Sequence, residues 1–519
     1  MHLKSYLTHR NIFVFGLVLL AVGIPVSRFL VSVSQIVLCC NWLLEANFVS
    51  KWNTLKRCRI FWAFTGIYLF YIAGLLWTED YTYAAKDLRI KLPMLWLPVL
   101  FFTSPQLNKK EYHAILHFFV AATVVASFWS VAVYSGITPI KIHDVRDISR
   151  FESHIRFSLM IVLSVLYLFF VLLDKNIGKH KLIYTAVLVW LLCFLVLLQS
   201  FTGILIIGII AFTALSWLLF SKNSVFAKIA FTLVVISSVS YLGYIVVDEW
   251  KKYNERIPVD LKTLPKFTKG GEEYSYDTVS KFTENGTRVW FYIAGKELKR
   301  EWDKKSWCKF DSLDFKGNPI KFTLIRYLSS KGLRKDSAGV SELSGQDIEN
   351  IEKGFANNRY TNTSSLRTRI HEFIWELGQA AAGEDPTGHS LSMRYEFWKT
   401  SWHIIRKHPF IGVGTGDLEA ALKEQYQEDK TTLNPKWQLH SHNQFLAVGV
   451  ALGFVGLLLF TFSQFGPFVF RKKRSRFFVF FLLIQFLSFF NEDTLETQAG
   501  VTFCVFFTQL LFHNDEYNL

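Results

Sequence analysis

Long, almost purely apolar runs alternate with short charged ones along this chain, and that alternation constrains the fold more than any motif. A helix that crosses a bilayer needs roughly 20 mostly apolar residues. By that measure about twelve spans are expected. They cover residues 12–26, 29–44, 60–77, 92–102, 112–134, 157–173, 182–198, 204–220, 229–247, 445–462, 477–490 and 499–512. Hydrophobic residues make up 51% of the chain and aromatic ones 17%, too apolar a balance for an ordinary soluble enzyme. The expected fold is an all-α polytopic membrane protein. The short run 92–102, beside Lys91 and Pro93, suits a broken or re-entrant helix. The first run follows Lys4 and Arg10, as a signal peptide would, but a second run begins almost at once, so a retained first span is expected.

Basic residues in short loops set orientation. Lys51, Lys56, Arg57 and Arg59 fall in one loop, Lys109 and Lys110 in another, Lys175, Lys179 and Lys181 in a third, Lys222 and Lys228 in a fourth. The strongest group is Arg471-Lys472-Lys473-Arg474-Ser475-Arg476. All lie on one side if both termini are cytoplasmic. The layout is then a transmembrane region of about nine spans over 1–248, an extracytoplasmic insert over 249–443, and a region of about three spans over 444–519. Two outer loops break the charge rule. One holds Lys141, Arg146, Arg150 and Arg156, the other Lys86, Arg89 and Lys91. Basic residues placed against the topological preference point to an anion bound at that surface, with snorkelling anchors as the plain alternative. The net charge of +15 therefore suits topology, lipid headgroups and an anionic substrate rather than nucleic acid. Six cysteines without a C-x-x-C pair imply neither a zinc site nor a disulfide framework.

The insert reads as loop-rich at first, with 331–350 loop-like. From 364 helical spacing appears in Leu366, Ile370, Phe373, Ile374 and Leu377, broken at Asp385-Pro386-Thr387-Gly388. A second amphipathic helix over about 392–406 carries Tyr395, Trp398, Trp402 and Ile405.

Chemistry-bearing residues gather where the insert re-enters the membrane. His440 and His442 share a face if their segment is extended. An imidazole there could deprotonate a hydroxyl near neutral pH. It could equally be an interfacial hydrogen-bonding pair, and a metal would need further ligands, for which His389 and His408 are distant in sequence. Arg394 could clamp phosphate with its planar guanidinium or be a surface residue. Glu492, Asp493 and Glu496 sit between the last two spans, where acids are costly unless paired or wet. They could pair with the arginines, orient a histidine or bind a polar acceptor. Gly412-Val413-Gly414-Thr415-Gly416 lacks the strand context of a nucleotide loop and reads as a turn, with Thr415 or Asp417 capping a helix from Leu418. No Walker loop, outer-face Asp-x-Asp or GxSxG elbow is present.

Arg394-x-x-x-Trp398, then His408-Pro409-Phe410-Ile411-Gly412-Val413-Gly414, then His440-Ser441-His442-Asn443, and the late 492–500 segment together resemble the O-antigen ligase and O-antigen polymerase superfamily. The resemblance implies a GT-C-type, metal-independent, inverting glycosyltransferase without cofactor, in the bacterial inner membrane with its site facing the periplasm. It implies a glycan donor on undecaprenyl pyrophosphate and, for the ligase of lipopolysaccharide biosynthesis, a lipid A–core acceptor. Relatives polymerise repeat units or glycosylate proteins. His442 matches the family's general base, with His440 beside it; Arg156 and Arg394 match its pyrophosphate-binding arginines, and Arg89 or Lys91 the basic residue of an early span. The chain departs at Gln199-Ser200-Phe201-Thr202-Gly203, where many relatives place an arginine. Outside the enzyme class, a transporter of an anionic lipid-linked glycan would also use basic residues.

Overall fold

The computed structural model describes residues 8–140, 145–174, 178–221, 224–280, 282–362, 365–381, 390–469 and 475–517. The expected Arg471-Lys472-Lys473-Arg474 signal lies outside them, as do Lys4, Lys141, Lys175, Lys222, His389 and the 385–388 break.

The chain is built of helices: α1 His9–Val26, α2 Arg28–Leu44, α3 Phe48–Arg57, α4 Arg59–Ala73, α5 Tyr81–Lys91, α6 Pro93–Thr103, α7 Lys109–Tyr134, α8 His154–Leu173, α9 Lys181–Leu197, α10 Phe201–Ser221 and α11 Val225–Asn254. The insert adds α12 Gly295–Lys305, α13 Ile320–Ser330, α14 Ser337–Ser341, α15 Gly345–Glu352, α16 Arg359–Asn362 and α17 Ser365–Ala381. Then come α18 Ser390–Lys407, α19 Leu418–Glu428, α20 Gln444–Val469, α21 Arg476–Asn491 and α22 Gln498–His513. Each apolar run of the sequence falls on a helix. Among the described residues eight helices are long and apolar enough to cross a membrane: α1, α4 continued by a tight turn to Trp77, α7, α8, α9 counted from the turn at Gly178, α10, α11 and α20. α2 joins α3 at a 109° bend, while α21 and α22 are shorter apolar helices. The protein is multi-pass, and α6 is the expected short helix, eleven residues opening on Pro93 with Pro98 inside.

Two compact units emerge, Met1–Lys222 with Met393–Leu519, and Asn223–Ser392. The first holds a phenylalanine-rich core. Phe119 meets Phe507 edge-on at 4.6 Å between ring centroids, and Phe481 meets Phe503 at 6.0 Å. Among helices packed within a bilayer the hydrophobic effect supplies little driving force, so such shape-specific ring contacts carry the packing.

α20 is broken inside. Gly453 takes φ +63° and ψ −162°, which interrupts the helical ladder. The 409–414 segment supplies the missing partners: Phe454 and Val455 donate to the carbonyls of Pro409 and Phe410 at 2.8 and 3.1 Å, while Val413 and Gly414 donate to those of Val450 and Ala451 at 2.9 Å each. A Cβ on Gly412 would stand 2.4 Å from the Ala451 backbone, so close approach requires the glycine. The glycine-rich segment is thus a clasp on a broken helix, as irregular backbone near a membrane demands. The expected cap is corrected: Asp417 sits at the N-cap position of α19 without a side-chain cap bond. Its carboxylate accepts instead from the backbone of Glu79 and Asp80 at 2.9 Å each, and Thr415 Oγ1 donates to the Tyr71 carbonyl. Long-range pairing wins over local capping.

The second unit has its own core around Val289, Leu298, Trp302, Leu324, Leu328 and Ile351. A two-residue Asn285-Gly286 turn, with φ +48° and +85°, joins β1 Thr283–Glu284 to β2 Thr287–Arg288. The 331–350 stretch is not loop-like: Asp336 caps α14, and Ser344 with Asp347 forms a capping box on α15. Helices this short carry no readable period, and capping alone marks them.

Candidate active site

The site lies within the first unit. α18 presents Arg394, Phe397 and Trp398, and a loop brings His440 to Asn443 to the start of α20. The last residue of α21 is Asn491, the turn after it supplies Glu492 and Asp493, and the first turn of α8 supplies Arg156. His442 takes φ +45°, a conformation that side chains other than glycine rarely adopt. Its neighbours fix it. Trp398 Nε1 donates to the Ser441 carbonyl at 3.0 Å and Ser441 Oγ donates to the Asn443 carbonyl at 2.9 Å. Asn443 receives the Leu446 N–H at 3.1 Å, capping α20, and donates to the Phe490 carbonyl at 3.1 Å. Strain held by so many bonds is a mark of functional positions.

Turned by this backbone, the His442 ring lies 5.7 Å from that of Phe397, with Nδ1 3.4 Å from Glu492 Oε2 and 3.9 Å from Asp493 Oδ1. Burial disfavours the protonated ring, but the carboxylates, Glu492 foremost, outweigh it, and the His442 pKa rises above the ordinary imidazole value. Glu492 shifts the other way: burial opposes its charge, yet His442 and Arg156 hold it low. Asp493, buried and beside the Glu492 charge, is pushed up to about 6. Two adjacent carboxyls are thereby driven apart, one held as an anion and one titrating near neutrality.

Arg156 Nη2 stands 3.8 Å from Glu492 Oε1, and its Nε–H is buried with no hydrogen-bond partner. Arg394 Nη1 donates to Asn491 Oδ1, whose amide donates onward to Thr202 Oγ1. The Ser200–Gly203 region thus reaches the site through Thr202. Lys91 is also brought in, though not to open space. It is 1% exposed, donates to Asp87 and to Glu496 Oε2 at 2.7 Å, and lies 4.9 Å from the Tyr71 ring centroid. Glu496 Oε1 accepts from Gln444 Nε2 at 3.0 Å. Arg89 is exposed on another face of α5. His440 is half-buried and its Nδ1 has no hydrogen-bond partner. Asn491, Gln444, Thr202 and Phe397 escaped sequence reasoning. Only the adjacency of Asn491 to Glu492, and of Gln444 to Asn443, hinted at the first two. Ligand atoms of His442, Glu492 and Asp493 lie within 4.8 Å of one another, close enough to converge on a cation.

No curated protein matches the chain. A family model described as O-antigen ligase matches residues 347–461, a stretch that includes Arg394, the glycine clasp and both site histidines. Over that stretch the chain is similar to the O-antigen ligase family, which agrees with the resemblance read from its sequence.

Proposed function

We propose that the protein transfers a glycan from undecaprenyl pyrophosphate to an acceptor hydroxyl, most simply ligating O-antigen to lipid A–core, at the periplasmic face of a bacterial inner membrane with both termini cytoplasmic. The observation that carries this reading is His442, held by two carboxylates on its Nδ1 side and flanked through Glu492 by Arg156. Glu492 Oε2, 3.4 Å from Nδ1 and without another hydrogen-bond partner, favours the tautomer whose Nε2 is basic. Nε2 takes the acceptor's proton, and the acceptor oxygen forms a bond to the anomeric carbon. The bond from that carbon to the phosphate oxygen breaks on the opposite face, inverting the centre. The lipid pyrophosphate leaves with the electron pair, its charge offset by Arg156 and Arg394. The unpartnered Arg156 Nε–H suits such an anion. Glu492 stabilises the imidazolium, and Asp493 or His440 is positioned to meet the acceptor. Lys91, enclosed by Asp87 and Glu496, supports the acidic turn rather than the donor. No step requires a metal or another cofactor. The GT-C architecture and the division at 249 and 444 belong to this reading.

The test is transfer in vitro with purified protein, undecaprenyl-pyrophosphate glycan, and lipid A–core, a second donor glycan or a protein as acceptor. His442→Ala should lose transfer by a factor of about 10²–10⁴ while still binding donor. Full activity in that variant removes the general-base role. Product identity separates ligase, polymerase and protein oligosaccharyltransferase. Donor carried across the bilayer without any product favours the transporter. The carboxylate–histidine cluster motivates one further arm: loss of activity on chelation, restored by a divalent cation, would replace the metal-free mechanism.

A further inference from the structure

The basic residues between the second and third apolar runs serve, in the sequence, only to orient the chain. In the fold Lys51, Lys56 and Arg57 lie on a helix, α3, and Arg59 opens α4. α3 leaves α2 at 109° through Ala46 and Asn47, which take φ of +55° and +56°. The turn is locked by Lys51, which is buried, donates to the Trp42 carbonyl at 2.9 Å, pairs with Glu45 at 2.9 Å and lies 4.6 Å from the Trp42 ring centroid. With Lys51 and Leu55 turned inward, α3 leaves Phe48, Val49 and Trp52 exposed at 49%, 78% and 54%.

This exposed apolar set is not isolated. Trp52 meets Trp62 edge-on at 6.3 Å, and Trp62, itself 39% exposed, stands on α4, one of the helices able to span. The apolar face of α3 therefore continues into the outer flank of a spanning helix. Lys56, Arg57 and Arg59 are exposed beside it. An open groove of about 830 Å³ flanks α3, lined by Phe48 and Val49 as well as by Ser50, Asn53, Thr54 and Arg57. At its other end α4 runs into the Thr78–Asp80 turn that Asp417 and Gly416 hold, so α3 lies at the opposite end of that span. If α2 crosses the bilayer, a helix bent from it by 109° runs nearly parallel to the membrane plane.

We propose that α3 is an in-plane membrane helix. Phe48, Val49 and Trp52 sit in the acyl layer, while Lys56, Arg57 and Arg59 hold the phosphates of anionic phospholipids. A soluble partner would have to cover apolar side chains that are continuous with the lipid-facing side of α4. The bilayer covers both at once.

Collision accessibility of a spin label tests this. Full-length protein carrying Val49→Cys, with Cys39, Cys40, Cys58 and Cys193 replaced by alanine, is reconstituted in phosphatidylcholine vesicles with and without phosphatidylglycerol. The label at position 49 should meet oxygen readily and a water-soluble nickel chelate poorly, and a label at Thr54→Cys should show the reverse. Nickel access at position 49 overturns the proposal. Shielding from both reagents does so too, because a protein partner or a second copy would then cover the face. Preference for spin-labelled phosphatidylglycerol over phosphatidylcholine should fall roughly fivefold for each charge removed in Lys56→Gln, Arg57→Gln and Arg59→Gln. An unchanged preference overturns the headgroup assignment.

Discussion

At the residue scale the site depends on charges that cannot be removed singly. His442 must be neutral to accept a proton, and its pKa is raised. The acidic limb of kcat/KM should therefore lie above the ordinary imidazole value of 6.5. Glu492→Gln removes the largest raising influence, so burial then dominates and the limb moves to lower pH while kcat falls. A pH–rate profile of both proteins checks this, and an unmoved limb would assign the titration to another group. The linked stability has the same sign. The pair's contribution is complete below 6.5 and is lost as pH rises through the folded-state value. Lys91 makes a second case. Replacing it by Met leaves Asp87 and Glu496 buried without a counter-charge and should cost about 3–5 kcal/mol. Arg89→Met, on an exposed residue, should stay within about 0.5 kcal/mol. Thermal unfolding in detergent compares them, and Lys91→Met with Glu496→Gln should recover part of the loss. The sequence showed which residue types gather at the membrane edge, and His442, Arg394, Arg156 and Glu492 were legible from that. It did not show that Lys91 would be consumed by an acid 405 positions away, nor that Asn491 would link Arg394 to Thr202. Such pairings are set by how helices stack, and no local pattern encodes them.

At the scale of elements the apolar runs were legible because a bilayer forbids unpaired backbone, and each run became a helix. The breaks within them were not. Gly453 lies inside an unbroken apolar stretch, and nothing nearby marks it as a non-helical residue. Its partner is the 409–414 segment, whose Gly412 and Gly414 belong to the 412–416 run that reads in the sequence as a turn. Both sides of the clasp need glycine, since a Cβ on Gly453 would stand 2.4 Å from the Phe410 carbonyl carbon. Gly453→Ala adds that clash to a backbone conformation essentially reserved for glycine, costing about 1–3 kcal/mol on its own. It should lower the melting temperature and reduce transfer, because α20 carries Gln444 and follows directly on His442. Gly243→Ala, in α11 with nothing within 4 Å of the added carbon, is the matched control and should be neutral or slightly stabilising. Equal melting of the two variants would mean that α20 tolerates a continuous helix there. α3 was missed for a different reason. Ten residues between two spans looked like a charged loop, and its helical period shows only once Lys51 is seen to be buried.

At the scale of the whole molecule, every residue of the candidate site belongs to the unit formed by Met1–Lys222 and Met393–Leu519. The polar stretch 393–443 is grouped in this unit together with Met1–Lys222 and residues 444–519. Hydropathy reports the solvent a segment meets, not the neighbours it packs against. The unit Asn223–Ser392 has a separate core and should unfold as a separate transition. Lys335 lies in that unit, fully buried, with its ammonium donating to the Arg288 carbonyl at 3.2 Å. Burial pushes its pKa down to about 7. A lysine with a depressed folded-state pKa takes up a proton more readily when unfolded. The penalty is therefore complete below about 7 and fades as pH rises toward the free-lysine value of 10.5. Lys335→Met keeps the aliphatic volume and discards the charge. It should stabilise this unit by about 2–4 kcal/mol at neutral pH, less whatever the freed carbonyl loses. The gain should shrink toward pH 10. Calorimetry of the full-length protein should show only the transition of this unit moving, with the other transition and the transfer rate unchanged. A loss of stability at every pH would mean that the Arg288 hydrogen bond outweighs the desolvated charge. Equal shifts in both transitions would show that the two units unfold as one.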